Sequence, residues 1–118
     1  MLRLKRRQEF LRIAAAGRKW VAPGLIVQAL RRDRTAATGG AETGFRVGYT
    51  VSRKVGAAVQ RNRARRRLRA AAARVMPGHA DDDHEFVLIG RVATLKRPFA
   101  ALVDDLETAL RKLGAYHD

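Results

Sequence analysis

The chain contains no cysteine, which excludes disulfide bonds and zinc sites that depend on thiolate ligands. No apolar run approaches the roughly 20 residues that span a bilayer, and the basic N-terminal segment MLRLKRRQEF lacks the apolar core of a signal peptide. We therefore expect a cytoplasmic protein with no membrane partner. Acidic residues are also few, 11 against 25 lysines and arginines, and none occurs from Thr43 to Ala80. The net charge of +14 exceeds what solubility requires and indicates a polyanionic partner.

The length of 118 residues, of which 47% are hydrophobic, is sufficient for one domain with one modest core, and we assign residues 1–118 to it. Apolar periodicity predicts three helices, at 6–17, at 57–75 and after Pro98. Alternating or continuous apolar runs predict three strands, at 25–30, 45–52 and 85–90. A further short strand is expected near Trp20, and the polar, glycine-containing segment 32–43 favours a hairpin connection. Because helices and sheet mix within one domain, the fold class is α+β.

The helix predicted at 57–75 is unusually rich in arginine, which occupies six of the nine positions from Arg61 to Arg69. At about 100° per residue, its small and apolar side chains share one face, formed by Ala57, Ala64, Leu68, Ala71 and Val75. Most of the arginines then point away from the core. Arg67 lies at the edge of the apolar face, where its methylene groups are expected to pack while its charge reaches solvent.

This concentration of like charge disfavours the helix in isolation. Cations four residues apart, such as Arg61 and Arg65, destabilise a helix by about 0.2–0.5 kcal/mol per pair, and cations in the first turn oppose the helix dipole. A solvated face, the less favoured alternative, would normally mix glutamate with the arginines. Arginine matches phosphate in bidentate geometry, so a phosphate backbone would convert the repulsion into attraction.

No group of side chains predicts a catalytic site in the protein. Segment 79–84 holds three aspartates between two histidines, but it follows a Pro-Gly pair and lacks the spacing of metal ligands, so we interpret it as a solvated loop and predict no metal site. Asp104, Asp105 and Glu107 are interpreted as the polar face of the last helix. Two-metal hydrolysis requires carboxylates that converge within a few ångströms, and the sequence offers no such set.

The segment RVGYTVSRKVGAAVQRNRARRRLR, residues 46–69, resembles the signature of the bacterial ribonuclease P protein component. In that family a strand leads into a basic turn, a glycine, and a helix that carries an Arg-Asn-Arg triplet. Here the glycine is Gly56 and the triplet is Arg61, Asn62 and Arg63. The resemblance extends to LKRRQEF and Gly17 near the N-terminus, and to EFVLIGR and the last helix, so it covers nearly the whole chain.

The resemblance implies an α-β-β-β-α-β-α order and a central, mostly antiparallel sheet packed by helices. It also implies a left-handed βαβ crossover, whereas general rules favour a right-handed one. The implied function is that of the non-catalytic protein subunit of an endoribonuclease, which removes the 5′ leader of precursor tRNA. Its catalytic groups and Mg²⁺ belong to the RNA, and the protein needs no cofactor of its own. The implied partners are the catalytic RNA and precursor tRNA.

Two surfaces of that family carry over to this chain. The RNA-binding surface corresponds to Arg53, Lys54, Arg61, Asn62, Arg63, Arg65, Arg66 and Arg69. The cleft for the single-stranded leader, between the first helix and the sheet, corresponds to Phe10, Ile13, Ala14, Gln28, Arg46 and Thr50. Phe10 is equally compatible with a role as an ordinary core anchor of the first helix.

The chain departs from the family's pattern at three of its positions. Ala14 and Gln28 stand where many relatives carry aromatic side chains, and Ala57 stands where asparagine is common. Stacking of an aromatic ring on a base contributes about 1–3 kcal/mol. We therefore expect this cleft to hold the leader more by charge and less by stacking.

Two other functions are compatible with the composition. A structural ribosomal-type RNA-binding protein would carry a similar charge, and only the signature at 46–69 argues against it. A DNA-binding helix usually mixes polar side chains among its arginines to read base edges. Here only Gln60 and Asn62 could do so, and DNA is therefore not expected as a partner.

Overall fold

The structure is a computed structural model that describes residues 2–32 and 44–118. The strands of the described residues are β1 (Leu2–Arg3), β2 (Arg18–Val21), β3 (Leu25–Arg31), β4 (Arg46–Thr50) and β5 (His84–Gly90). The helices are α1 (Arg7–Ala16), α2 (Ala58–Val75), α3 (Val92–Lys96) and α4 (Phe99–Lys112), and a 3-10 turn spans Arg53–Val55. The predicted α+β class and the short strand near Trp20 are confirmed, whereas β1 and α3 were not predicted.

The strands form one five-stranded sheet in the order β1-β4-β5-β3-β2. Strand β4 pairs in parallel with β1 and with β5, and β3 pairs antiparallel with β5 and with β2. The sheet is therefore mixed, with two parallel and two antiparallel pairs. The expected antiparallel character predominates, because the antiparallel pairs join four and seven residue positions and the parallel pairs join two and five. Strands β4 and β5 are joined through α2 as a parallel βαβ unit, whose left-handedness stays a prediction.

The hairpin predicted between the first two long strands, at 25–30 and 45–52, is wrong. Strands β3 and β4 do not pair, because β5 lies between them. The central position suits β5, since Phe86, Val87 and Leu88 are all buried and together cover both of its faces. Most of segment 32–43, on which the hairpin prediction rested, lies outside the described residues.

Helices cover both faces of the sheet. Helices α2 and α4 pack on one face around Phe86 and Leu88, where they bury Leu68, Leu102 and Leu106. On the buried face of α2, Ala72 joins the predicted residues, whereas Ala57 caps the helix and is exposed. Helix α1 packs on the opposite face in a smaller cluster of Leu4, Ile13 and Val87. None of the described helices has the length and apolar character required to cross a membrane.

The sequence suggested that Asp105 lies on a solvated polar face of the last helix. The structure shows instead that Asp105 is 93% buried between α4 and the turn before β3. Its carboxylate accepts hydrogen bonds from the backbone N–H of Gly24 at 3.0 Å and from both Nε and Nη2 of Arg97. The hydroxyl of buried Thr94 donates to the carbonyl of Gly24 at 2.5 Å. This polar network fixes α3 and α4 against the β2–β3 turn.

Segment 79–84, interpreted from the sequence as a solvated loop, is held against the C-terminal tail. The backbone N–H of Asp81 donates to the carbonyl of Ala115, and the backbone N–H of His117 donates to the carbonyl of His79. The ring of His79 stacks on Tyr116 with a centroid distance of 4.9 Å. The segment is thus an ordered part of the fold, because the tail supplies backbone partners that lie far away in sequence.

Candidate nucleic-acid interface

Helix α2 presents its arginines on the side opposite the core. Arg63, Arg66 and Arg69 are exposed together with Asn62, while Arg61 and Arg65 are partly buried. Nη1 of Arg65 donates to the side-chain oxygen of Asn62 at 2.9 Å. That contact holds one guanidinium along the helix surface and occupies the amide oxygen, so Asn62 orients a neighbouring cation.

The turn before α2 adds two further exposed cations, Arg53 and Lys54. It ends at Gly56, whose φ of +152° lies in a region that side chains rarely adopt. The first turn of α2 contains no acidic residue, and its N-cap, Ala57, provides no side-chain cap. The backbone N–H groups at this helix end therefore add positive potential beside the cations of the turn.

The decisive feature of this surface is that its charge is uncompensated. Within residues 2–32 and 44–118, no carboxylate lies within 4.0 Å of any cationic side chain of the predicted RNA-binding set. Several arginines elsewhere are paired, for example Arg31 with Asp83 at 2.8 Å and Arg97 with Asp105 at 2.5 Å. The structure thus neutralises part of the charge away from this surface and leaves the surface's own cations available to an external anion.

Arg67 is the exception within the helix, because its charge turns inward. Its Nε donates to the carbonyl of Thr94 at 2.7 Å, and its Nη2 donates to the carbonyl of Arg97. The sequence placed Arg67 at the edge of the core face but predicted that its charge would reach solvent. Instead, the guanidinium caps carbonyl groups at the end of α3 and ties that helix to α2.

On the other side of the sheet, Phe10 of α1 lies over Gly48 of β4. A Cβ atom at Gly48 would come within 2.5 Å of two ring carbons of Phe10 and within 3.1 Å of the Cβ of Leu4. The missing side chain therefore allows the ring to approach the strand backbone. Phe10 remains partly exposed and packs against the cluster of Leu4, Ile13 and Val87, so it is a core anchor with one accessible side.

The alternation of β4 places Arg46 and Thr50 on the face that carries Phe10, as the sequence predicted. Arg46, however, forms ion pairs with Glu9 of α1 and with Glu85 of β5, and Arg12 also pairs with Glu85. Glu85 is only 2% exposed. Because two carboxylates face Arg46, its side chain joins α1 to the sheet and contributes little net charge to a ligand.

The remaining predicted cleft residues differ in accessibility. Ile13 is completely buried and offers no surface to a ligand, whereas Ala14 is exposed and Gln28 and Thr50 are partly exposed. Gln28 lies opposite Val87 in the β3–β5 register, next to the cluster beneath α1. The structure therefore brings Phe10, Gln28 and Thr50 to one side of the sheet, beside an exposed Ala14.

Sequence reasoning missed a basic groove beside this cleft. The groove, of about 830 Å³, lies between β1 and the start of α1, and most of its lining side chains are basic: Arg3, Lys5, Arg6, Arg12 and Arg46. Glu9 is its single acidic lining residue, and Glu9 also accepts a hydrogen bond from the backbone N–H of Arg6 at 3.1 Å. The basic run in LKRRQEF was the available signal, but the pairing of β1 with β4 that positions it has no local signature.

One group of potential metal ligands occurs within the described residues, formed by Asp81, Asp83 and His84. The carboxylate of Asp83 accepts hydrogen bonds from Arg31 and is bonded to the ring of His84, both at 2.8 Å. Burial alone would raise the pKa of Asp83, but the hydrogen bonds with Arg31 and His84 outweigh it and lower the pKa. The cluster is thus satisfied by protein donors, and its donor set does not fit a hydrolytic two-metal centre.

Comparison with known proteins shows which family the chain resembles. The family model described as Ribonuclease P matches residues 1–114. A ribonuclease P protein component of Paramagnetospirillum magneticum is 53% identical over 113 residues, which cover 96% of this chain and 83% of that protein. Its counterpart in Gluconacetobacter diazotrophicus is 50% identical over 112 residues, covering 95% of this chain and 90% of that protein.

Solved structures support the same fold. The RNase P protein of Staphylococcus aureus superimposes with a TM-score of 0.78 at 22% identity, covering 99% of both chains. The RNase P protein of Thermotoga maritima gives a TM-score of 0.71 at 24% identity, covering 96% of both chains. Together with the extent of the family match and the identity to the curated relatives, these findings establish that the chain belongs to the family of ribonuclease P protein components.

Proposed function

We propose that this protein, as the protein subunit of ribonuclease P, binds the catalytic RNA through the α2 surface and assists removal of the 5′ leader from precursor tRNA. The observation that carries the proposal is the uncompensated arginine surface of α2 and its preceding turn, in a chain whose other arginines largely have carboxylate or carbonyl partners. Arginine side chains without internal partners are suited to phosphate groups of an RNA backbone. The alternative of a ribosomal-type structural protein has no support from the relatives.

We propose further that the RNA, with Mg²⁺, supplies the chemistry of cleavage. The described carboxylates are engaged in structural contacts, as Asp105 and Glu85 are, or stand exposed without convergence, as Asp104 does. The protein's contribution is then binding and orientation.

The leader of precursor tRNA is assigned to the cleft beside Phe10. The cleft offers one ring edge, an amide at Gln28, a hydroxyl at Thr50, and the basic groove at the start of α1. With Ala14 in place of a second ring, and with Arg46 faced by two carboxylates, the leader's phosphates are held chiefly by the groove's other cations. Leader binding should therefore depend strongly on salt and weakly on base identity.

The test is cleavage of precursor tRNA by the cognate catalytic RNA with and without the protein, at low Mg²⁺. The protein should increase cleavage when the RNA is present and show none alone. Cleavage by the protein alone, or no effect on the RNA, would contradict the proposal.

The α2 surface is tested by a double variant that removes two of its charges and by a control variant that removes two charges elsewhere. The variant Arg63→Gln/Arg66→Gln removes two exposed cations that have no carboxylate partner among the described residues, whereas Arg31→Gln/Arg111→Gln removes two cations that pair with carboxylates. The first variant should lower the slope of log K against log salt for RNA binding by about two, and the second should leave it nearly unchanged. Equal slopes for both variants would remove α2 from the interface.

A further inference from the structure

Tyr49 of β4 lies where the arginine helix meets the edge of the sheet. It is partly buried against the main core, on the face covered by α2. The guanidinium carbon of Arg69 lies 5.6 Å from the centre of its ring. Arg3 of β1 stands opposite Val47 in the parallel β1–β4 register, which directs Arg3 to the same face as Tyr49. Three side chains from β1, β4 and α2 thus converge at one edge.

The charged side chains that act on Tyr49 carry charge of one sign. The charged groups that act on Tyr49 are Arg69 and Arg3, both cationic, and its hydroxyl forms no hydrogen bond within the described part of the chain. Burial raises the pKa of Tyr49, and the two arginines only partly oppose this effect. The phenol is therefore protonated at neutral pH and available as a donor. Two guanidinium groups and a free O–H donor together form a group of side chains suited to binding an anion.

The chain contains a second tyrosine with an arginine on its ring, and that pair is neutralised internally. Arg111 lies 4.1 Å from the ring centre of Tyr116, but its Nε pairs with Glu107 at 3.4 Å and its Nη2 with Asp118 at 3.7 Å. The hydroxyl of Tyr116 also donates to Glu107 at 3.4 Å. Carboxylates thus neutralise the Arg111–Tyr116 contact, whereas the described residues provide no carboxylate around Tyr49.

We propose that Arg3, Tyr49 and Arg69 form a binding site for a phosphodiester group of RNA, which extends the α2 surface across the sheet edge to the N-terminal strand. The site rests on the proposed function, since the ligand is a strand of the RNA already assigned to α2. Arg69 and Arg3 supply charge from two sides, and the Tyr49 hydroxyl donates a hydrogen bond that fixes the position of the phosphate. The catalytic RNA is the expected source, because Arg69 belongs to the α2 surface.

The test replaces Tyr49→Phe and, separately, Arg3→Gln in the full chain. Phenylalanine keeps the packed ring and its contact with Arg69, so the fold should be retained, as circular dichroism can verify. We expect Tyr49→Phe to weaken binding to the catalytic RNA about ten- to a hundredfold, in keeping with loss of one hydrogen bond to a charged group. Arg3→Gln should lower the salt slope by about one. Tyr116→Phe and Arg111→Gln are the matched controls and should remain within twofold of the wild type.

Binding of precursor tRNA to the reconstituted holoenzyme is measured in parallel to identify the source of the phosphate. Tyr49→Phe decides the source, because Arg3 also lines the groove assigned to the leader and Tyr49 does not. In Tyr49→Phe, a loss confined to the catalytic RNA supports the site as stated, and a loss confined to precursor tRNA supports the site with the substrate as its ligand. Wild-type affinity and slope for both RNAs in Tyr49→Phe and Arg3→Gln would overturn the site while leaving the proposed function intact. A wild-type protein that binds neither RNA would overturn the proposed function itself.

Discussion

Arg66 and Arg67 are adjacent in α2, yet the structure assigns them opposite roles, which a pair of methionine substitutions can separate. Arg66 is exposed and has no carboxylate partner among the described residues. Arg67 donates to the carbonyl groups of Thr94 and Arg97 at the end of α3. Methionine keeps most of the aliphatic volume at either position and removes the guanidinium. The two variants also lose the same charge, so each is the control for the other.

The magnitude follows from the two hydrogen bonds of Arg67. A hydrogen bond that involves a charged group contributes about 1.5–3 kcal/mol, and water can replace part of that contribution at a partly buried site. We therefore expect Arg67→Met to lower the free energy of unfolding by about 2 kcal/mol, which corresponds to a fall in melting temperature of roughly 6–10 °C for a domain of this size. Arg66→Met should leave stability unchanged, or raise it by a few tenths of a kcal/mol through relief of like-charge repulsion.

Two measurements distinguish the variants. Urea unfolding followed by circular dichroism reports stability, and RNA binding at several salt concentrations reports phosphate contacts. Arg67→Met should be unstable with an unchanged salt slope, and Arg66→Met should be stable with a slope lower by about one. If Arg67→Met is as stable as Arg66→Met, the structural role described here is incorrect. If its salt slope falls by one, Arg67 contacts phosphate instead.

Three further predictions concern charge elsewhere in the molecule. Asp105→Ala should lower the free energy of unfolding by about 1–3 kcal/mol, because it leaves the buried backbone N–H of Gly24 without its acceptor, whereas exposed Asp104→Ala should change it by less than about 0.5 kcal/mol. Both variants should support normal single-turnover cleavage at saturating folded protein, and a large loss with Asp104→Ala would indicate a protein active site. Sulfate should raise the melting temperature well beyond chloride at equal ionic strength, since an anion at a hundred times its dissociation constant stabilises the folded state by about 2.7 kcal/mol; coincident curves would show that the arginine repulsion is relieved in another way. The pKa of Asp83 is lowered in the folded protein, so its contribution to stability is present above the ordinary aspartate pKa of about 4 and is lost as pH falls further. Asp83→Asn should therefore destabilise the protein at pH 7 more than at pH 3, and equal effects at both pH values would contradict this assignment.

The sequence predicted the features that depend on local periodicity. The three long strands, the ends of α2 near Gly56 and Pro77, and the outward face of its arginines all follow from the spacing of apolar residues. Strand neighbours did not follow, because β3 and β4 are consecutive in the chain but are separated by β5 in the sheet. Strand β1, with two residues, is too short to give any alternation.

Local sequence patterns also could not predict the partners of individual charged side chains. Periodicity places Arg67 at the border of the core face, but only the fold brings the carbonyl groups of α3 within its reach. Asp105 and Asp104 are adjacent and chemically identical, yet the β2–β3 turn buries one of them. For the candidate site, the composition of the arginine surface was predictable, whereas Tyr49 with its two cationic neighbours required the register of β1 on β4.

The central place of β5 in the sheet has a consequence for synthesis of the chain on the ribosome. Strands β3 and β4 pair with β5 and not with each other, so the two halves of the sheet stay separate until residues 84–90 have been made. At about 5–20 residues per second, the interval between the end of β3 and the end of β5 is roughly 3–12 s. The arginines of α2 emerge during this interval, before the strand that supports their helix. A nascent chain therefore displays its RNA-binding charge before it has a fold, and the abundant RNA around a ribosome is the first polyanion that it meets.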